Sequence, residues 1–306
     1  MKRLEILFCL GLALAPTLRA NDVVYPPAQS FSHFPYVLEK PLPPRSTSFD
    51  LRLDYANVFT PNFGRTIVCD LETFAATLSA HYGLARGLTG EVHLRFFTVH
   101  GGFLDGGIEW FHRAFSFPNA NRPEFPRDQV YYRFKDYFTI SDSRGYISPP
   151  VFALLKNVVS GERAFLSARL ALGLPLMKRP GFVSENPFAT AGLIAGYSAG
   201  RFALSGSVHV SWFRKPTWLQ DEPFRPRMAL VEAKLSIHRF RAGFAVRTSP
   251  FGSDEISRDA HLIWAGVQLR NGLELGFTED FTPFDTTPDV GFYLKYPLRK
   301  LGSERK

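Results

Sequence analysis

Two short runs carry the side chains with which this chain could do chemistry. In His209-Val-Ser211 a spacing of two puts both side chains on one face of an extended strand. The imidazole is then near enough to take a proton from the hydroxyl, and Asp221 or Glu222 in the following loop would supply the acid of a hydrolytic set. The second run is "GGFLDGGIEWFHRAF", residues 101–115, in which Asp105, Glu109 and His112 form one polar stripe at helical spacing. Glu109-Trp-Phe-His112 has the spacing of half a carboxylate–histidine metal site.

Neither run is sufficient by itself. A paired metal site needs a second Glu-x-x-His helix, which the chain lacks, so neither a metal nor another cofactor is assigned. The glycine pairs 101–102 and 106–107 follow no buried parallel strand and carry no lysine consensus, so they are not a phosphate loop. Leu104, Ile108, Phe111 and Phe115 instead make an apolar stripe, and the run reads as a docking helix over 103–115, a lid or a plug. The His-x-Ser spacing also recurs reversed in Ser79-Ala-His81, so it is a cheap signal. What either run does depends on the elements that hold it.

Those elements alternate. In "FDLRLDY" Phe49, Leu51, Leu53 and Tyr55 interleave with Asp50, Arg52 and Asp54; in "MALVEAKLSIH" Val231, Ala233 and Leu235 interleave with Glu232 and Lys234. Period-two runs fall near 47–58, 71–84, 90–99, 149–158, 162–174, 188–199, 201–213, 227–238, 239–249, 258–270, 272–281 and 288–297. Tight connectors such as "SAGR" and "RNG" alternate with long ones such as "MKRPGFVSENP" and "SPFGSDEISRD". An even strand number with short turns on one side and long loops on the other predicts an all-β fold, a closed antiparallel transmembrane β-barrel of about twelve strands. The largest excursion, 100–146, carries the helix. A soluble β-sandwich gives no reason for that strict alternation.

Charges on the lipid face of such a barrel cost about 2–4 kcal/mol at mid-depth. Arg52, Asp54, Arg95, Arg169, Glu232, Lys234 and Arg247 are therefore expected to line the lumen, where both signs allow cross-bracing. The same parity turns His209 and Ser211 inward with Ser205 and Ser207, away from any lipid substrate. The aromatics Tyr55, Tyr82, Trp212, Trp264 and Tyr296 are expected in the interfacial girdles or the wall.

The ends of the chain fit export. "MKRLEILFCLGLALAPTLRA" has a basic start, a short apolar run and a small residue at Ala20, the pattern of a signal peptide cleaved after Ala20. Without it the net charge is +6, against +8 for all 306 residues, and Cys69 is the remaining cysteine, so no disulfide framework exists. A mildly basic exported chain suits a surface of outer-membrane lipid and lipopolysaccharide and does not require nucleic acid. Residues 21–45 are a proline-rich lead-in, 46–297 the barrel and 298–306 a basic tail.

"VHGGFLDGGIEWFHRAFSFPN", "EFPRDQVYY" and "GFTEDFTPFDTTPDVGFYL", taken together, resemble the bacterial family known as domain of unknown function 3187, over roughly residues 45–296. The resemblance implies an outer-membrane β-barrel and supplies no catalytic residues. In the last strand Asp289, Gly291, Leu294 and Tyr296 resemble the terminal signal read by the outer-membrane assembly machinery, although a basic tail follows. The function expected is a narrow or plugged barrel that passes or binds a small solute, or serves the envelope structurally, in preference to an enzyme. The alternative is a lipid-modifying hydrolase that resembles lipid A deacylases and uses His209, Ser211 and Glu222.

Overall fold

The computed structural model describes residues 40–61, 67–116, 126–176, 183–219, 221, 223–250, 260–280 and 290–301. The chain runs through β1 (Thr47–Pro61), β2 (Ile67–Ala85), β3 (Leu88–His100), α1 (Leu104–Phe115), β4 (Tyr131–Phe134), β5 (Phe138–Ile140), β6 (Arg144–Ile147) and β7 (Val151–Ser160). It continues through β8 (Ala164–Gly173), β9 (Phe188–Ala199), β10 (Phe202–Phe213), β11 (Arg227–Ile237), β12 (Phe240–Arg247), β13 (Ala260–Gln268), β14 (Glu274–Asp280) and β15 (Val290–Leu301). Every pairing is antiparallel, and β1 pairs with both β2 and β15, so the sheet closes on itself.

Twelve strands make the barrel wall. The three short ones, β4, β5 and β6, belong to the excursion after β3 and are additions to the sequence expectation, which placed only a helix there. β4 pairs with Ile67–Asp70 above the point where β3 leaves β2, and β5 completes a hairpin with it. β6 lies beside Phe96–Val99 of β3, and β7 lies beside Leu88–His93. Between them Pro149 and Pro150 lack the N–H groups that would continue the ladder. β15 runs on to Leu301, four residues past the expected end of the last strand.

The tight connections lie at one end of the barrel, and four of them place a residue at positive φ: Gly87, Gly200, His238 and Gly272. The opposite end carries the long connections. β1 and β2 have 15 and 19 residues. A tilted membrane-crossing strand needs about 9–11, so this hairpin projects beyond the others at the long-loop end.

Strand alternation divides the side chains as it would in a soluble protein, but with the polarity reversed. Leu94, Phe96, Phe152, Leu154, Leu170, Val208, Phe244 and Phe292 point outward and are exposed. Asp50, Asp54, Glu91, His93, Arg95, Arg169 and Glu274 point inward and are buried. The luminal side changes character along the barrel axis. Near the tight turns it is charged. Toward the long-loop end it becomes an apolar cluster that includes Val58, Leu71, Phe97, Tyr132, Phe134, Phe188, Phe213 and Met228.

Tyr82, Trp212 and Tyr296 lie exposed on the outer face as a girdle or wall position requires. Trp264 does not: it is buried in the lumen with its ring 6.3 Å from that of Tyr293. The run "AHLIWAGVQL" is apolar on both faces, so alternation in the sequence could not tell its inner side from its outer.

Candidate functional site

Adjacent strands joined by a tight turn bring their polar residues into register. The β2–β3 turn pairs Ser79 with His93 and His81 with Glu91, all on the inner face. Ser79 Oγ and His93 Nδ1 are 2.8 Å apart, and His93 Nε2 is 3.2 Å from Glu91 Oε2. Arg169 on β8 donates from Nε to the same carboxylate oxygen at 2.9 Å. His81 reaches across β2, with Nε2 3.3 Å from Asp50 and Nδ1 4.0 Å from Glu91. The Glu91 and Arg169 side chains are 0% and 2% exposed, so the pair is dry.

A second group continues around the wall. Arg52 donates to Asp54 at 2.8 Å and lies over the Tyr293 ring at 4.5 Å. Tyr293 donates to Glu274 at 3.1 Å, and Arg241 donates to Glu274 at 2.5 Å and to Gln268. Lys295 lies 3.8 Å from Asp50, which joins the two groups. The braces run through β12, β13, β14, β15, β1, β2, β3 and β8.

Arg52, Asp54 and Arg169, named from sequence, are thus members of one luminal belt. Arg95 and Arg247 are buried on the same inner side. Glu232 accepts from Ser207 at 3.4 Å, and Lys234 is half-buried two residues along. Sequence reading noted His81 only for its spacing from Ser79, and it missed Glu91, His93 and Tyr293. The signal for His81, Glu91 and His93 was the alternation Glu91-x-His93-x-Arg95 facing Ser79-x-His81 across a short turn, which the hairpin register decodes.

Above the belt, loops from opposite walls meet. Trp218, in the β10–β11 connection, has its ring 5.4 Å from Phe134, 6.2 Å from Tyr137 and 5.4 Å from Phe138 of the β4–β5 hairpin. β4 sits on β2, and β10–β11 lies across the barrel from it in the strand order. Tyr132 packs on Phe138, and Phe213 packs on Phe224. This aromatic bridge spans the mouth.

The structure gives no support for His209 and Ser211 as a hydrolytic pair. Both face inward and are buried. The His209 ring fills the space that a side chain at Gly192 would need, and Ser211 Oγ is 2.6 Å from Thr190 Oγ1. Glu222 and Asp289 lie outside the described residues. Of the other terminal-strand positions, Gly291 is inward while Leu294 and Tyr296 are outward.

The helix departs most from expectation. It is neither a plug nor a lid. Asn57, Glu72 and Asp70 occupy the outward parity of the projecting β1–β2 hairpin; α1 is held against Asn57 and Glu72, and Asp70 accepts from Gln129. The buried Glu72 carboxylate accepts the N–H groups of Phe103, at 2.9 Å, and Leu104, and the Tyr55 hydroxyl donates to it. A carboxylate there satisfies orphan helix N–H groups and complements the helix dipole. Asp105 accepts from Asn57 at 3.0 Å and from the Asp128 N–H at 2.8 Å. Glu109 accepts from Arg127, which raises that guanidinium's pKa. The face buried against the wall is therefore Asp105, Ile108 and Glu109, with His112 half-buried. The expected docking stripe fails at Phe111, which is exposed.

The first glycine pair has a steric cause. A side chain on Gly101 would overlap the Asp128 carbonyl, and one on Gly102, at φ 75°, would overlap the Glu72 carboxyl. Gly106 and Gly107 face open space. Among the described residues no group of His, Cys, Asp and Glu is arranged to hold a metal.

Comparison with known proteins agrees with this architecture. An outer membrane channel from Pseudomonas putida F1 superposes with a TM-score of 0.56 at 9% identity, covering 88% of this chain and all of that one. A Pseudomonas aeruginosa FadL homologue is more distant, with a TM-score of 0.39 at 10% identity over 83% of this chain and 91% of that one. No curated protein matches the chain. A family model described as protein of unknown function (DUF3187) matches residues 22–176, just over half of the chain. That span contains the β1–β2 hairpin, the helix and the Pro126-Arg127-Asp128 segment that clasps it, and the chain belongs to the DUF3187 family.

Proposed function

We propose that this protein spans the bacterial outer membrane as a narrow barrel that binds or passes a small solute, with its extracellular mouth closed by its own loops. The observation that carries this reading is the bridge from Trp218 to Phe134, Tyr137 and Phe138 across the barrel. Membrane residence is supported by the wall itself. A contiguous outer face of Leu, Val, Phe and Ala is far larger than the apolar patch a water-facing protein exposes, while the charges are inside. The Pseudomonas putida neighbour is itself an outer membrane channel. An entering solute meets the aromatic rings at the mouth, and beneath them the turn-side charges of both signs are paired with one another.

On this reading residues 1–20 direct export, and N-terminal sequencing of the mature protein should begin at Asn21. The outer face contacts lipid and lipopolysaccharide. The last strand, through Asp289, Gly291, Leu294 and Tyr296, engages the assembly machinery. The hydrolase alternative finds no favourable observation, because Ser211 and His209 are buried inside and away from lipid.

Single-channel recording in planar bilayers tests the proposal. The wild-type chain should give small steps or none, and Phe134→Ala with Trp218→Ala should raise conductance several-fold. Large wild-type steps, or steps unaffected by the double substitution, would remove the aromatic bridge as the closure.

A further inference from the structure

α1 is amphipathic in the sense opposite to a water-exposed helix. Its wall-facing side holds Asp105 and Glu109, both buried and both hydrogen-bonded. Its outward side presents Gly107, Trp110 and Ala114 at i, i+3 and i+7, flanked by Phe103 and Phe111. Phe103 is 70% exposed and Trp110 66%. Ordinary burial would place these rings inside and the carboxylates in water, since an exposed carboxylate avoids desolvation altogether.

The position of the helix accounts for the reversal. The Phe103 ring lies 5.4 Å from that of Tyr55, which shares a rung with Phe74 and Thr98 on the outer face. The next outward rung toward the tight-turn end carries Phe96, which is exposed, and the one after it Leu78 and Leu94, also exposed. Each such step is about 7 Å along the strand. The aromatic side of α1 therefore continues the apolar belt of the barrel wall, with Thr98 the polar member of the rung that joins them.

We infer that α1 is an interfacial helix whose Phe103, Trp110 and Phe111 side chains enter the outer leaflet, so that the partner of this face is lipid. The inference rests on the barrel's membrane residence and adds a second contact with the bilayer. Tryptophan and phenylalanine at the boundary of headgroups and acyl chains are the residues such a helix uses. The Glu72 carboxylate and the Arg127 clasp hold the helix in that orientation from behind. The helical part of the excursion is thereby tied to the membrane surface, outside the lumen, while the β4–β5 hairpin crosses the mouth.

Spin-label accessibility tests this in the mature protein, reconstituted in phosphatidylethanolamine–phosphatidylglycerol vesicles with Cys69 replaced by Ala. Labels are placed singly through Trp110→Cys, Leu94→Cys on the wall and Asp142→Cys on an exposed loop. Heat-shifted migration in gels confirms that each variant is folded. The expected result is that positions 110 and 94 relax strongly with oxygen and weakly with a water-soluble nickel complex, and that position 142 does the reverse. Nickel-accessible 110 beside oxygen-accessible 94 would overturn the inference and leave the barrel reading intact. Position 110 shielded from both reagents would also overturn it, pointing to a protein partner or a second copy on this face. Nickel-accessible 94 would instead refute membrane residence.

Discussion

Replacement of Glu91 by Gln tests whether the turn-side half of the lumen is dry. Its carboxylate serves Arg169 at 2.9 Å and His93 at 3.2 Å, and the Arg169 side chain is only 2% exposed. Removing one partner of a buried pair leaves an uncompensated charge, which costs roughly 3–5 kcal/mol. The retained amide oxygen still accepts one hydrogen bond, so the lower end, about 3 kcal/mol, is expected. Replacing both partners with apolar residues, Glu91→Leu with Arg169→Met, removes the stranded charge. The double variant should lie within about 2 kcal/mol of wild type, far from the sum of the single effects. Urea unfolding in lipid vesicles, followed by tryptophan fluorescence, gives the midpoints at constant slope. A loss below about 1 kcal/mol for Glu91→Gln, or additive effects in the double variant, would refute the reasoning. Water would then be solvating Arg169, and the lumen would be wet where the geometry makes it closed.

Three further outcomes follow from the same geometry. Gly102→Ala should cost on the order of 2 kcal/mol from its positive φ and the overlap with Glu72, whereas Gly106→Ala and Gly107→Ala should each stabilise α1 by up to about 1 kcal/mol; thermal shifts of opposite sign would check this. Glu72→Gln weakens the charge-assisted bonds to the Phe103 and Leu104 N–H groups by about 1.5 kcal/mol, so hydrogen exchange in the first turn of α1 should quicken roughly tenfold. Ser211→Ala should cost about 1 kcal/mol through the lost Thr190 contact and leave fatty-acid release from phospholipid vesicles at the wild-type background; release that depends on Ser211 would restore a hydrolase.

Different physics made different parts of the molecule legible. Alternation of Leu51, Leu53 and Tyr55 with Asp50, Arg52 and Asp54 is a local property, and only a strand with unlike sides satisfies it. The position of α1 was not local. Its sequence holds two candidate stripes, apolar and acidic, and which one docks depends on what stands opposite. Asn57 and Glu72 come from strands more than 30 residues earlier; alternation turns them outward, and the projection of the β1–β2 hairpin past its neighbours leaves that face open to the helix. The short strands β4–β6 were hidden for a related reason: each has three or four residues, too few for a period to register.

The chain's own pattern of side chains determined the barrel, its strand alternation, its short-turn end and the inward direction of Arg52, Asp54, Arg169, His209 and Ser211. A period of two and a rule about turn length operate between neighbours, and they survive without knowledge of the rest. Tertiary structure alone decided that Glu91 holds Arg169, that Trp218 meets Phe134 across the mouth, and that the Asp105 and Glu109 stripe faces the wall while Trp110 faces out. Each of those outcomes depends on which distant side chains closure of the sheet brings within reach, and strand register sets that only once the barrel is complete.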